Sequence, residues 1–253
     1  MGTRLPILMF HDISDQRAPI SFPAAVFQRA MARLHSNGFR TLTLLEAVHC
    51  LQRRSLFPNR SFAITFDDGY RTVYDRAFPV LQRYGMTGTV FLTPGVKKPA
   101  NSAERLPALE GRMMLSWHQI REMQDAGMDI GAHSCTHPRL TELPMERARA
   151  EILGSRTIIQ EMLGQPVACF AYPFGRYDVR IRDLAAQHFC CALSDKLGFV
   201  TASSDPFALE RVDAHFLRSD RTSALMVGQW FPWYVGARSL TRGIKRAVQR
   251  RLA

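Results

Sequence analysis

The sequence predicts an α/β fold, a barrel or an open sheet, in which parallel strands alternate with crossover helices. The chain has 253 residues, of which 46% are hydrophobic, so it can form one large domain with a full core. Strand and helix patterns alternate along it without a repeat or a long linker. Three polar clusters, at residues 65–70, 133–137 and 172–175, each follow a strand-like apolar run. This placement predicts a site at the carboxyl ends of the strands.

Short apolar runs mark the predicted strands, because a strand covered on both faces is apolar throughout. In chain order they occupy residues 6–10, 62–66, 87–92, 128–132, 168–171 and 190–193.

Longer segments with helical periodicity lie between these runs and end at glycines such as Gly38, Gly85 and Gly164. They occupy residues 23–37, 44–52, 70–84, 145–163 and 180–188. Another helix begins at Ser116, because Gln119 completes the spacing of a capping box. Residues 94–112 show no periodicity and are predicted to form a loop over the barrel mouth.

Composition and charge limit the classes of partner. The net charge is +11 and the pI is near 10.0, which suits an anionic polymer, nucleic acid or a membrane surface. No recognised nucleic-acid motif accompanies the basic residues, so nucleic acid is not an expected partner. No apolar run reaches the roughly 18–20 residues that span a bilayer. The N-terminus lacks a signal-peptide pattern and the five cysteines lack a framework spacing, so a cytoplasmic protein with reduced thiols is expected.

Residues 221–253 are predicted to be a basic, aromatic helical extension that follows a catalytic domain at residues 1–220. Its aromatic residues are Trp230, Phe231, Trp233 and Tyr234. Its basic residues are Arg238, Arg242, Lys245, Arg246, Arg250 and Arg251. Apolar residues recur there at roughly helical spacing: Leu240, Ile244, Val248 and Leu252. The composition indicates a peripheral membrane contact. The alternative is a terminal helix docked on the domain, with a solvated basic face.

The first two polar clusters have the residue types of a metal-assisted hydrolase. Asp67 and Asp68 leave the same strand in different directions, so one can ligate a metal while the other handles protons. His133 and His137 follow another strand, and both imidazoles can converge on one cation. Taken singly, Asp68 is as consistent with a helix cap as with a site, and a single strand-end His more often packs in the core. The combination of the two clusters is what favours a site. Cys135 offers a soft ligand as a weaker alternative.

Residues 65–70 and 133–137 resemble the first two motifs of the polysaccharide deacetylase family, carbohydrate esterase family four. The resemblance extends over residues 7–216 and implies a single-domain, distorted (β/α) barrel. It implies hydrolysis of acetyl groups on sugar polymers with a divalent metal, most often Zn²⁺, although Co²⁺, Ni²⁺ and Mn²⁺ also suit such ligands. Asp67 is then the general base, and Asp68, His133 and His137 hold the metal.

The third cluster is similar to the branch that acts on poly-N-acetylglucosamine and other exopolysaccharides. By this resemblance Tyr172, Pro173 and Phe174 form the substrate and oxyanion segment, and the Phe174 amide is the oxyanion donor. Trp117 corresponds to a pocket residue near the acetyl methyl, with simple core filling as the alternative.

Two family features are missing from their usual places. The Arg that classical members carry just before the motif proline is absent, and Arg176 and Arg211 are the candidates to replace it. No late Leu-x-His supplies the general acid, and His215 and His11 are the candidate catalytic residues. The expected function is removal of N-acetyl, or O-acetyl, groups from a bacterial surface or exported polysaccharide or its precursor. The alternatives are a non-sugar amide hydrolase and a non-catalytic carbohydrate-binding relative.

Overall fold

The fold is a closed barrel of parallel strands surrounded by helices, seen in a computed structural model that describes the backbone of residues 2–252 and the side chains of residues 2–242. The strands, in chain order, are β1 (Arg4–Leu5), β2 (Ile7–Phe10), β3 (Asp12–Ile13), β4 (Ser21–Phe22), β5 (Arg40–Thr41), β6 (Ser61–Phe66), β7 (Thr89–Leu92), β8 (Asp129–Ala132), β9 (Cys169–Ala171), β10 (Cys191–Leu197), β11 (Val200–Thr201) and β12 (Leu209–Asp213). The helices are α1 (Ala24–Ser36), α2 (Leu44–Gln52), α3 (Phe78–Arg83), α4 (Trp117–Asp125), α5 (Met145–Leu163), α6 (Val179–His188), α7 (Asp220–Ser223) and α8 (Phe231–Leu252).

Seven parallel strands close the barrel in the order β2-β12-β10-β9-β8-β7-β6, and β6 pairs back with β2. β5 adds to the outside of this ring by pairing with β6. The predicted (β/α) barrel is therefore confirmed. Closure removes the free edges of the sheet and brings the carboxyl ends of all seven strands to one mouth.

Period-two alternation decides which side chains face the barrel interior. The register pairs Ile7 with Ala63 and Met9 with Thr65, so these side chains point the same way on neighbouring strands. Apolar side chains fill the lower interior of the barrel, and α2 closes it from below. One buried hydrophobic cluster joins the two. Its strand residues are Ile7, Ala63, Phe91, Cys169, Ala171, Cys191, Leu193 and Leu209, and its α2 residues are Leu44, Ala47, Val48 and Leu51. Continued by two residues, the same alternation points Asp67 into the barrel mouth.

Most predicted elements are present, and their ends agree with recognisable signals. The capping boxes at Thr43 with Glu46 and at Ser116 with Gln119 open α2 and α4. Gly164 ends α5 with φ of 69°, a conformation that costs glycine little. The loop predicted over residues 94–112 contains no named helix or strand, and its Glu110 reaches the barrel mouth.

The single helix predicted over residues 70–84 is wrong in detail. A π-helical turn at Val73–Ala77 precedes α3, and the Phe78 N–H donates to the Val73 carbonyl oxygen. Pro79 lies at the start of α3 and has no N–H to continue an ordinary α-helical ladder. The wider turn accommodates that missing donor.

The C-terminal helix α8 packs against the barrel. Phe231 and Val235 are buried, the Ser239 hydroxyl donates to Leu197 O at 3.0 Å, and the Tyr234 hydroxyl donates to Phe216 O at 2.6 Å. The side chains of Ile244, Lys245, Arg246, Val248, Arg250, Arg251 and Leu252 lie outside the described residues. Among the helices whose residues are described, none has the length and apolar character to cross a bilayer.

Candidate active site

A cavity of about 310 Å³ lies at the carboxyl ends of the barrel strands, and we call it the barrel-mouth cavity. It collects charged and imidazole side chains from strands that are distant in sequence. Its lining residues are Met9, His11, Ile20, Asp67, Asp68, Glu110, His133, His137, Arg139, Phe174, Gly175, Arg176, Asp195, Arg211, Asp213 and Arg242. Residues from all three polar clusters are among them, namely Asp67, Asp68, His133, His137, Phe174 and Gly175.

Asp68, His133 and His137 bring one ligand atom each to within 4.8 Å of the others. Asp68 Oδ1 lies 3.5 Å from Nε2 of His133 and 3.5 Å from Nε2 of His137. The Nδ1–H of His133 donates to Ala171 O at 2.7 Å, which leaves the Nε2 lone pair facing the other two groups. Burial, together with the nearby His133, lowers the pKa of His137 to about 4, so His137 is neutral at pH 7.

This donor set fits a divalent cation. Ligands of a tetrahedral zinc ion at about 2.1 Å lie roughly 3.4 Å apart, close to the two 3.5 Å separations here. Asp68 Oδ1 is buried and has no hydrogen-bond partner among the described residues. A buried carboxylate oxygen without a partner is costly, and a bound cation would satisfy it. Three protein ligands also leave a coordination position open, as in catalytic sites.

The loop that carries both histidines is held by Glu151 of α5. The Glu151 carboxylate accepts bonds of 2.8 Å from the N–H and from the hydroxyl of Thr136. The His137 N–H donates to the Ser134 hydroxyl at 3.0 Å. Cys135 contacts α5 through Ala150 O at 3.9 Å, and burial raises the pKa of its thiol to about 12. The Cys135 sulfur therefore lies against α5, and it is not among the three ligand atoms that lie together.

Backbone strain is concentrated at this cavity. Asp68, Ser134, His137 and Phe174 have φ of 75°, 63°, 59° and 57°, where residues with a Cβ are seldom found. Each such residue costs of order 1–3 kcal/mol and persists only where surrounding contacts enforce it. All four residues lie in the turns that follow β6, β8 and β9, at the carboxyl ends of these strands.

Asp67 is paired with Arg211, and both side chains are buried. Arg211 Nη1 donates to Asp67 Oδ1 at 2.7 Å and Nη2 donates to Oδ2 at 2.8 Å. Arg211 is itself fixed by bonds from Nε to Ser194 O at 2.8 Å and from Nη1 to the Thr65 hydroxyl at 3.3 Å. Of the two candidates to replace the missing Arg, Arg211 is therefore the one that orients Asp67. Arg176 lies at the cavity rim, 3.9 Å from Glu142.

The electrostatic setting keeps Asp67 ionised. Burial on its own would raise the pKa of Asp67, but the charges of Arg211, His133 and His11 outweigh it and hold this pKa well below its usual range. At neutral pH Asp67 is thus an ionised, oriented hydrogen-bond acceptor.

His11 and Phe174 lie in the barrel-mouth cavity, as the sequence predicts. His11 follows β2, and its Nε2 is 3.9 Å from Asp67 Oδ2. Phe174 is half exposed, and its ring lies 4.6 Å from that of His137 and under the guanidinium of Arg139. The turn that carries Phe174 is closed by Gly175 N–H donating to Tyr172 O at 2.7 Å.

Four other predicted site residues do not line this cavity. Tyr172 is fully buried, with its hydroxyl donating to Phe207 O at 2.9 Å, and the adjoining Pro173 is buried too. Trp117 begins α4 and is buried in the hydrophobic core. His215 lines an adjoining cavity, where its Nδ1 lies 3.2 Å from Pro19 O. That second cavity also contains His11, which connects the two.

Asp195, Asp213 and Arg242 line the cavity although the sequence did not single them out as site residues. Asp195 and Asp213 are reached by the period-two alternation of β10 and β12. Asp213 was missed because β12 reads as a charged segment rather than a strand. Asp195 was missed because it lies beyond residue 193, where the predicted strand ends. Arg242 lies far along α8, where nothing in the local sequence distinguishes it from the other basic residues.

Comparison with known proteins identifies the family of this chain. The family model described as polysaccharide deacetylase matches residues 55–189. The chain belongs to the polysaccharide deacetylase family. A polysaccharide deacetylase homologue of Bacillus subtilis (strain 168), YxkH, is 30% identical over 233 residues, which cover 92% of this chain and 76% of the relative. A poly-β-1,6-N-acetyl-D-glucosamine N-deacetylase of Staphylococcus aureus (strain MSSA476) is 27% identical over 88% of this deacetylase and 76% of the relative.

Solved structures share the fold of this polysaccharide deacetylase. Streptococcus pyogenes deacetylase PplD in complex with acetate superposes with a TM-score of 0.75 at 23% identity, over 84% of this chain and 93% of PplD. IcaB from Ammonifex degensii superposes with a TM-score of 0.72 at 23% identity, over 89% of this chain and 97% of IcaB. At 23% sequence identity, these likenesses establish the shared barrel fold.

Proposed function

We propose that this polysaccharide deacetylase removes N-acetyl groups from a poly-N-acetylglucosamine-type surface or exported polysaccharide, or its precursor, with a divalent cation. The observation that carries the proposal is the orphaned, buried Asp68 Oδ1 between two histidine nitrogens, directly beside an Asp67 fixed by Arg211. Relatives named as poly-β-1,6-N-acetyl-D-glucosamine N-deacetylases support the choice of sugar. A carbohydrate-binding protein would not require this complete donor set.

Asp68, His133 and His137 would hold the cation, and Zn²⁺ is the ion that suits one carboxylate and two imidazoles best. When bound there, such a cation polarises the acetyl carbonyl and makes a water molecule more acidic. Asp67 takes a proton from the attacking water, since Arg211 keeps its carboxylate ionised and pointing into the cavity. The Phe174 N–H is the donor we assign to the acetyl oxygen as negative charge develops on it.

The leaving nitrogen needs a proton as the carbon–nitrogen bond breaks. His11 is placed to deliver it, because its Nε2 is 3.9 Å from the carboxylate that receives the proton from water. His215 lines the adjoining cavity and would have to move to reach the leaving nitrogen. The products are acetate and the protonated amine, so both protons of the attacking water end on the nitrogen.

The test is acetate release from β-1,6-linked N-acetylglucosamine oligomers before and after chelation, with add-back of Zn²⁺, Co²⁺, Ni²⁺ or Mn²⁺. Release that chelation abolishes and a cation restores is the expected result, because a bound cation would polarise the acetyl carbonyl and make the attacking water more acidic. Release that survives complete chelation would contradict the metal requirement. A protein that binds a cation but releases no acetate with any of the four would contradict the substrate.

We also propose that α8 contacts an anionic membrane surface, near membrane-bound polysaccharide precursors. The cytoplasmic location expected from the sequence remains a prediction. Three large apolar side chains at or on α8 face solvent, with exposures of 64% for Trp230, 75% for Trp233 and 72% for Leu240. Exposed tryptophans beside arginines are typical of helices that lie in the membrane interface.

Sedimentation with vesicles of anionic phospholipid tests this contact. We expect binding at low salt that weakens as salt screens the basic residues, and that is lost in the Trp230→Ala/Trp233→Ala variant. Leu56→Ala is a matched control, because Leu56 is also exposed but lies far from α8 in sequence. Absence of the wild-type protein from anionic vesicles at low salt would overturn the proposal.

A further inference from the structure

Arg242 reaches from the C-terminal helix α8 into the barrel-mouth cavity. Its Nη2 donates to Asp195 Oδ2 at 2.8 Å and its Nη1 donates to Asp195 O at 3.1 Å. Nη1 also lies 3.8 Å from Asp213 Oδ2. Asp195 belongs to β10 and Asp213 to β12, two of the seven strands whose carboxyl ends form the mouth of the barrel. The family match ends at residue 189, so this part of the wall lies outside it.

The position of Arg242 is fixed from both sides. Along α8, Val235 is buried and Ser239 is bonded to Leu197 O at 3.0 Å, one turn before Arg242. On the barrel side, a Cβ placed on Gly175 would lie 2.2 Å from the Asp195 Cβ, so the turn that carries Phe174 packs directly on Asp195. Arg242 is therefore joined through Asp195 to the turn that we assign to the acetyl oxygen.

The charges of this cluster indicate the kind of ligand group it suits. Two carboxylates lie beside one guanidinium, so the positive charge of Arg242 is neutralised and does not favour an anionic ligand. The cluster offers fixed N–H donors and carboxylate acceptors side by side, each partly open to the cavity, with side-chain exposures of 24% for Arg242, 16% for Asp195 and 22% for Asp213. Sugar hydroxyls both donate and accept hydrogen bonds and therefore match such a surface.

We propose that Arg242, with Asp195 and Asp213, binds hydroxyl groups of the sugar and so positions the acetylated unit for hydrolysis. The proposal rests on the function proposed above, and it makes the C-terminal helix a part of the substrate site. Binding energy from the hydroxyls would align the acetyl group with Asp67, so truncation of Arg242 raises KM or lowers kcat for sugars.

Two substrates separate this role from a structural one. Arg242→Ala is expected to lower kcat/KM for N-acetylglucosamine oligomers about 10- to 100-fold, and to lower kcat/KM for 4-nitrophenyl acetate, which has no sugar hydroxyls, by a much smaller factor. Arg242→Lys, which keeps the charge with fewer donors, should recover only part of the loss. Arg238→Ala is the matched control on α8, because Arg238 stacks on Tyr234 and Phe216 and does not line the cavity.

A binding measurement keeps the two proposals distinguishable. N-acetylglucosamine oligomer is titrated into Asp67→Asn with and without Arg242→Ala, so that affinity is measured whether or not hydrolysis occurs. Affinity at least tenfold weaker in the double variant supports the inference, and equal affinity overturns it. Equal losses for the oligomer and for 4-nitrophenyl acetate would also overturn it, since they indicate general damage to the site. Wild-type binding without acetate release would instead contradict the proposed function.

Discussion

Replacement of Asp67 by Asn is expected to lower acetate release by about 10²- to 10⁴-fold while cation binding persists. The amide cannot take a proton from water, yet it is nearly isosteric with the carboxylate and keeps one oxygen for Arg211. The cation ligands are other residues, so the affinity for Zn²⁺ measured by titration should change little. Rates of acetate release from N-acetylglucosamine oligomers, measured with saturating cation, provide the comparison.

Asp12→Asn is a matched control for this substitution. Asp12 is also buried and paired with an arginine, with Arg112 Nη1 2.6 Å from Oδ2, but it does not line the barrel-mouth cavity. Asp67→Asn leaves the buried Arg211 guanidinium without its carboxylate, and Asp12→Asn does the same to the partly buried Arg112, so both variants should lose stability. Asp67→Asn should in addition lose catalysis, whereas Asp12→Asn should retain most of it. Similar activities for the two variants would show that Asp67 is not the base.

Much of the fold could be predicted because the strands are buried on both faces and therefore read as apolar runs. β6 and α5 are found at or within one residue of the predicted ends. β12 could not be predicted, since Glu210, Arg211 and Asp213 give it the appearance of a loop. Its central arginine becomes a core residue only when β6 supplies the Asp67 carboxylate, a partner 144 positions away in the chain. Such a pairing leaves no local signal.

The site residues likewise divide into those that local sequence indicates and those that depend on tertiary packing. Asp68, His133 and His137 could be proposed from sequence because each directly follows an apolar strand, and parallel strands end together. Trp117 and Tyr172 were assigned by resemblance, and both side chains are buried in the core, so their contact with the substrate remains a prediction. Arg242 was seen only as one of several basic residues on a helix, because its role depends on how α8 docks against β10. Docking of distant elements is a tertiary property that periodicity does not report.

The second large effect is expected at Arg211, whose replacement by Met should destabilise the protein by about 3–5 kcal/mol. Methionine removes the bidentate partner of Asp67 and leaves a buried carboxylate without compensation. Unfolding in urea with circular dichroism gives the free energy of unfolding. Asp67→Asn/Arg211→Met should recover part of the loss, because neither partner then carries an unpaired charge. Additive losses in the double variant would show that the two side chains are not coupled. Arg211→Lys, which keeps the charge, serves if the methionine variant does not fold.

The pH dependence distinguishes pairing from simple packing at Arg211. In the wild type the pKa of Asp67 lies below its usual range, so the pair stabilises the protein above that usual range and the stabilisation is lost as pH falls through the lowered pKa. Without Arg211, burial is the largest influence left and raises the pKa of Asp67. The stability difference between wild type and Arg211→Met should therefore be greatest near neutral pH and shrink in acid, as Asp67 becomes protonated in the variant.

The acid limb of acetate release should move to higher pH in the same variant, since Asp67 must be ionised to act as the base. A stability difference independent of pH would instead mean that Arg211 acts through packing alone.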